Sequence, residues 1–214
     1  MTTPFVQAIF AGRPKTIKDD QGTWVSSIHR DPVHGRIEVS ERGLVGDAVE
    51  QPYHGSPDAA VCAHLLDHYL FWNAHLGMRL EPGVVGENVT IADITEDQVC
   101  AGDVIKVGTA VLQVSGPRIP CANLARRIGR ADWVTLTLSA ARTGFYLRVI
   151  EPGFTERGEP WLLIDRPAPG GIIPAINRCM FLAFDPEYAR SMQQMQGLGE
   201  WWKERARERL ARNL

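Results

Sequence analysis

Short apolar runs punctuated by glycine and proline cover most of the chain up to residue 164, and the spacing inside them is mainly that of β-strands. Residues 5–10 form one run, closed by Arg13-Pro14-Lys15, and residues 24–28 form a second. Residues 36–39 alternate with period two, and Gly43 and Gly46 bracket Leu44-Val45, which predicts tight turns or a bulge. Residues 104–107 and 109–114 flank Gly108 as the arms of a hairpin. Residues 144–150 read as a strand with Phe145, Leu147 and Val149 on one face and Tyr146 and Arg148 on the other, and 161–164 as one more.

Helical spacing appears in fewer places. Ser56, Pro57 and Asp58 have the chemistry of a helix start, and Val61, Leu65, Tyr69, Trp72 and Leu76 follow at helical intervals up to Gly77. The pattern therefore predicts one long helix from residue 57 to 76. His64 and His68 lie one turn apart on it and could chelate zinc. No glutamate follows the first in the H-E-x-x-H manner, so a polar helix face is the expectation. Residues 122–128 read as a short helix, whereas 131–141 fit strand or helix equally. Beyond Pro167-Ala-Pro-Gly-Gly171 the chain turns helical: Asp185-Pro186 starts one helix, and 201–211 form another, with Glu208 and Arg212 at i and i+4. Trp201 and Trp202 would anchor it to the barrel or to a second subunit. The fold class that follows is mainly β, a barrel core over residues 1–166 with added helices and a C-terminal helical extension over 167–214. A dinucleotide fold is excluded, since no G-x-G-x-x-G follows a strand.

A chain of 214 residues, 44% hydrophobic, buries one full core. A net charge of −2 and a pI near 6.3 offer no general field for nucleic acid or anionic membrane. No apolar run approaches the roughly 20 residues that span a bilayer, and the N-terminus lacks a signal-peptide pattern. Cys62, Cys100, Cys121 and Cys179 are widely spaced and include no C-x-x-C, which fits free thiols in a reducing cytoplasm. Four lysines stand against nineteen arginines, the better partners of carboxylate and phosphate.

The stretch Pro117-Arg118-Ile119-Pro120-Cys121 concentrates the candidate chemistry. A strand ends in a double-proline turn and a helix starts at the cysteine, with a fixed cation three residues before it. Both features favour the thiolate, the form that binds soft metals. The plain alternative is a half-buried cysteine beside a turn. Cys100, with no cation beside it in sequence, reads as structural.

Taken together, Ser27-Ile28-His29-Arg30-Asp31-Pro32-Val33, Gly46-Asp47, His54-Gly55-Ser56-Pro57-Asp58, Pro82-Gly83-Val84-Val85-Gly86-Glu87-Asn88, Gly102-Asp103, the Cys121 stretch and Thr143-Gly144-Phe145-Tyr146-Leu147-Arg148-Val149 occur in one consistent order over nearly the whole chain. In that order they resemble the MOSC domain, the molybdenum-cofactor sulfurase C-terminal type, and within it the stand-alone YiiM-like branch. The resemblance implies a β-barrel that binds molybdenum cofactor or carries sulfur for it, with Cys121 as the metal or sulfur ligand. That branch is associated with reduction of N-hydroxylated compounds such as hydroxylaminopurines, and with homodimers.

Carried onto this chain, the resemblance implies Cys121 and His54 as catalytic residues. Arg30, His54, Glu87, Asn88, Arg118 and Arg148 are the cofactor-binding candidates. Glu87 and Asn88 would either hold the pterin edge or lock their loop, and His54 would relay protons or brace its turn. Ser56, Ala59 and Asn123 depart from the usual pattern; the last two weaken the local positive field. Two function classes follow. One is a reductase supplied by an external electron-donor protein, because no flavin, haem or iron–sulfur motif is present. The other is a non-catalytic carrier of cofactor or of a cysteine persulfide. No lysine stands in a matching pocket motif, so pyridoxal phosphate is not expected.

Overall fold

The computed structural model describes residues 2–48 and 56–212. Its strands are β1 (Phe5–Ala11), β2 (Lys15–Asp19), β3 (Gly22–Ser26), β4 (Asp31–Pro32), β5 (Ile37–Ser40), β6 (Gly43–Leu44), β7 (Val61–Leu65), β8 (Val89–Ala92), β9 (Val104–Val107), β10 (Ala110–Pro117), β11 (Phe145–Glu151), β12 (Gly153–Thr155) and β13 (Trp161–Asp165). The helices are α1 (Leu66–Leu76), α2 (Ala122–Ile128), α3 (Trp133–Ser139), α4 (Ile173–Asn177), α5 (Pro186–Met192) and α6 (Glu200–Arg212).

Eight strands form one curled sheet in the order β13-β9-β10-β11-β7-β8-β1-β4. All neighbours are antiparallel except β7 and β8. The sheet closes back on itself through a bridge between Phe5 and Pro160, where the Val6 amide donates to the Glu159 carbonyl at 2.9 Å. The predicted 104–114 hairpin is present as β9 and β10, and its turn needs Gly108: φ is +59°, and a Cβ there would lie 2.2 Å from the Phe154 carbonyl oxygen. Alternation along β11 holds as well, with Phe145 and Leu147 buried in the core.

Two apolar clusters result. The larger joins the inner face of the sheet to Ile173, Ile176, Met192, Trp202 and Ala206 of the C-terminal helices. Trp202 packs against the sheet at Gly116, whereas Trp201 is exposed. The Asp185 cap forms as predicted, its carboxylate accepting from the Glu187 and Tyr188 amides at 2.9 and 3.1 Å. In α6 the ion pairs are Arg205–Glu208, at i and i+3, and Arg207–Glu200, rather than Glu208–Arg212. The smaller cluster gathers Ile28, Tyr69, Trp72, Leu80, Val85, Leu124 and Trp133 beneath α1, α2 and α3. The ambiguous 131–141 segment is helical, with Trp133 wholly buried there.

The long 57–76 helix is corrected. Residues Pro57–Ala59 make one 3-10 turn, without a side-chain cap from Ser56, and Val61–Leu65 is a strand. All five residues of β7 are buried between β8 and β11. A central strand covered on both faces can bury residues on either side, so exposure gives it no alternating polar pattern. Its valine and leucine at i and i+4 match a helix by count alone. Only α1 is helical, and it ends at the left-handed Gly77 as expected.

The same correction removes the polar histidine face. His64 on β7 and His68 on α1 are both buried, with ring centroids 4.7 Å apart; among the described residues their four ring nitrogens have no hydrogen bond, and His68 Nε2 lies 3.7 Å from Glu96 Oε2. Among the described residues no group of three or more histidine, cysteine or acidic side chains is placed to hold a metal ion. Burial, aided by Arg118, pushes the His64 pKa down to about 3 from 6.5. Between those values the unfolded chain binds a proton that the fold refuses, so stability falls as pH drops through the window. Glu96, whose pKa burial pushes well up, opposes this where it titrates above its ordinary 4.5. The histidine effect is therefore cleanest below about pH 4.5. Denaturant titrations of His64→Leu should give a stability–pH slope shallower than wild type by about 1.4 kcal/mol per pH unit there. An identical slope would contradict the assignment.

Candidate functional site

A cleft of about 570 Å³ opens where the outer face of β7 and β11 meets the 26–30 segment, the β5–β6 turn and the start of α2. Its floor is set by strand register. Tyr146 on β11 and Cys62 on β7 are direct cross-strand partners, so their side chains share a face. Asn88, just before β8, secures the same strand: its Oδ1 accepts from the Cys62 amide at 3.0 Å, and its own amide donates to the Cys62 carbonyl at 2.8 Å.

Arg30 and Asn88 both reach the cleft, but their polar groups are used within the protein. Arg30 forms a two-bonded pair with Asp47, Nε to Oδ1 at 2.8 Å and Nη2 to Oδ2 at 2.9 Å, while Nη1 donates to the Gly86 carbonyl at 2.6 Å. Asn88 Nδ2 donates to Asp47 Oδ2 at 2.9 Å. The approach requires Gly86, with φ +72° and room for no Cβ against Ile28. These residues brace the wall that they line.

Glu87 lies behind that wall, fully buried and not lining the cleft. Its Oε1 accepts from Tyr69 Oη at 2.6 Å, the Gly83 amide at 2.7 Å and Thr90 Oγ1 at 2.7 Å. Three donors from a loop, a helix and a strand tie it into the 82–88 loop, while its Oε2 has no partner among the described residues. Burial, then the adjacent Glu87, pushes the Tyr69 phenol well up, which keeps it a donor. Arg148 also lies outside the cleft lining. It pairs with Asp58, Nε to Oδ1 at 2.8 Å, and its Nη1 donates to Gln113 and to the Gly197 carbonyl. Arg148 thus ties the 57–59 turn to the C-terminal helices. His54 falls outside the described residues.

Arg118 differs from the other two cations. It is 6% exposed, lines the cleft, and has one hydrogen bond, from Nη2 to the Val85 carbonyl at 2.7 Å. Among the described residues its Nε and Nη1 have no partner. Burial opposes its charge, but Cys62, Tyr146, Cys121 and Glu87 around it prevail and hold it above its ordinary value. A buried guanidinium with free N–H groups lacks the oxygens that such donors require.

Cys121 is half-buried, lines the cleft and occupies the position before α2, as the double-proline turn predicted. Cys62 is a second thiol in the same cleft, which the helical reading of residues 57–76 concealed. Burial pushes its thiol up despite Arg118 and Arg30, so it stays a neutral thiol. Cys100 is buried elsewhere, with its thiol pushed up by burial and by Asp103. Ala59 and Asn123, the two departures that reduce positive charge, both line the cleft. Tyr146 was legible only as a residue on the same strand face as Arg148.

The profile of the MOSC domain matches residues 50–161. Among curated proteins the chain is 35% identical over 174 residues to "Uncharacterized protein YflK" of Bacillus subtilis, covering 81% of this chain and 79% of that one. It is 31% identical over 181 residues to "Protein YiiM" of Escherichia coli, covering 83% and 81%. It is also 32% identical over 161 residues to a "Reductase" of Gibberella moniliformis, covering 73% of this chain and 29% of that larger protein. The crystal structure of YiiM from Geobacillus stearothermophilus superposes with a TM-score of 0.82 at 29% identity, covering 97% of this chain and 99% of that one. Among the described residues no helix is long and apolar enough to cross a membrane.

Proposed function

The chain belongs to the MOSC domain family, and from that premise we propose that it binds molybdenum cofactor and reduces N-hydroxylated small molecules. The observation that carries this reading is the free buried guanidinium of Arg118 in a cleft that also presents the Cys121 thiol. The match to a protein named a reductase supports the oxidoreductase part.

The donor set fits such a group. A molybdenum–pterin needs a soft ligand for its metal and N–H donors for its anionic oxygens. Cys121, half-exposed in the cleft, would supply the first, and Arg118 Nε and Nη1 the second. Cys62, kept neutral by burial, would pack beside them without ligating. Arg30, Asp47 and Asn88 hold the wall, and Glu87 holds the loop behind it. When bound, the cofactor supplies a metal centre able to pass electron pairs to an N–O bond. Electrons would reach it from a reduced partner protein. A homodimer working in the cytoplasm belongs to the same reading.

The test supplies reduced electron-transfer protein and follows loss of a hydroxylaminopurine. Turnover by wild type that disappears in Cys121→Ser is the expected result. Cofactor transfer to an apo-acceptor without turnover would instead establish a carrier.

A further inference from the structure

Tyr146 lines the cleft without bracing its wall. Its phenol lies on the cleft floor beside Cys62 and feels the charge of the buried Arg118. Among the described residues its hydroxyl has no hydrogen-bond partner. Among the described residues, the other oxygen and nitrogen acid–base groups lining the cleft are committed or unsuited, and Cys62 stays a neutral thiol. Asp47 is bound by Arg30, Asn88 and the Gly12 amide. Arg118 does not release its proton. Glu41 is exposed, on the β5–β6 turn.

Resting on the function proposed above, we propose that the Tyr146 hydroxyl hydrogen-bonds the oxygen of the N-hydroxylated substrate and gives it a proton as the N–O bond breaks. The balance is R–NHOH plus two electrons and two protons to R–NH2 and water. The reduced electron-transfer protein supplies both electrons. The Tyr146 proton joins the departing oxygen, one from solvent joins nitrogen, and solvent then reprotonates the phenolate. Burial, with Cys62 next, pushes the phenol up to about 12, so it is fully protonated at working pH. Arg118, with two free N–H groups, offsets the charge left on the phenolate.

The experiment compares equilibrium binding of 6-hydroxylaminopurine and 6-aminopurine to the full-length protein as purified, wild type and Tyr146→Phe. Wild type should prefer the hydroxylamino compound by about fivefold, the worth of one neutral hydrogen bond. Tyr146→Phe should bind both alike, with unchanged circular dichroism. In turnover the same variant should lower kcat far more than it raises KM. An undiminished preference in Tyr146→Phe, or none in wild type, overturns the role of Tyr146 while leaving the reductase reading intact. Wild type that binds neither purine overturns the substrate reading and this role with it.

Discussion

Arg118→Met should lose oxyanion binding while keeping its fold, and Arg30→Met should do the reverse. Two charge-assisted hydrogen bonds are at stake at Arg118 Nε and Nη1. At about 1.5–3 kcal/mol each, their removal should weaken binding of a probe such as molybdate by roughly 100-fold or more. The variant gives up one hydrogen bond to the Val85 carbonyl, so its unfolding midpoint should move little. Arg30 is the partner of Asp47 in a pair whose side chains are 8% and 10% exposed. Taking away one member leaves a buried, unpaired carboxylate and should destabilise by about 3–5 kcal/mol. Calorimetric binding and thermal melts on both variants separate the roles. Equal loss of affinity in the two, with equal melting points, would contradict the division.

Cys121→Ser should reduce molybdenum content by more than about tenfold, since even groups that merely support a metal ligand are worth 10- to 100-fold. Cys62→Ser and Cys100→Ser should retain the metal. The Cys62 comparison is the sharper control, because both thiols line one cleft and differ in exposure. A serine at Cys62 that empties the site as thoroughly as one at Cys121 would move the ligand assignment to β7.

The chain announced its turns and its half-buried strands better than the strand buried on both faces. Alternation on β11 and the glycine between β9 and β10 were local signals, and both formed as read. β7 departs from the helical expectation because Cys62 and His64 on one face are as buried as Val61, Ala63 and Leu65 on the other, so no exposed side reveals its period. That error carried Cys62 away from Cys121 and made a polar face of two buried histidines. The position of Cys121 before α2 was legible, because proline, cysteine and a short helix adjoin in sequence. The cations were legible only as charges. Their partners are distant in sequence: Asp47 for Arg30 and Asp58 for Arg148. Only the fold distinguishes these spent guanidiniums from Arg118, whose hydrogen-bonding capacity is left over.

Under the proposed function the cleft holds molybdenum through the cofactor. The most direct test is elemental analysis of wild-type protein made in two hosts, one that synthesises molybdenum cofactor and one that lacks its pterin precursor. The expected result is molybdenum near stoichiometric in protein from the first host and background in protein from the second. Equal, background molybdenum in both would contradict the claim.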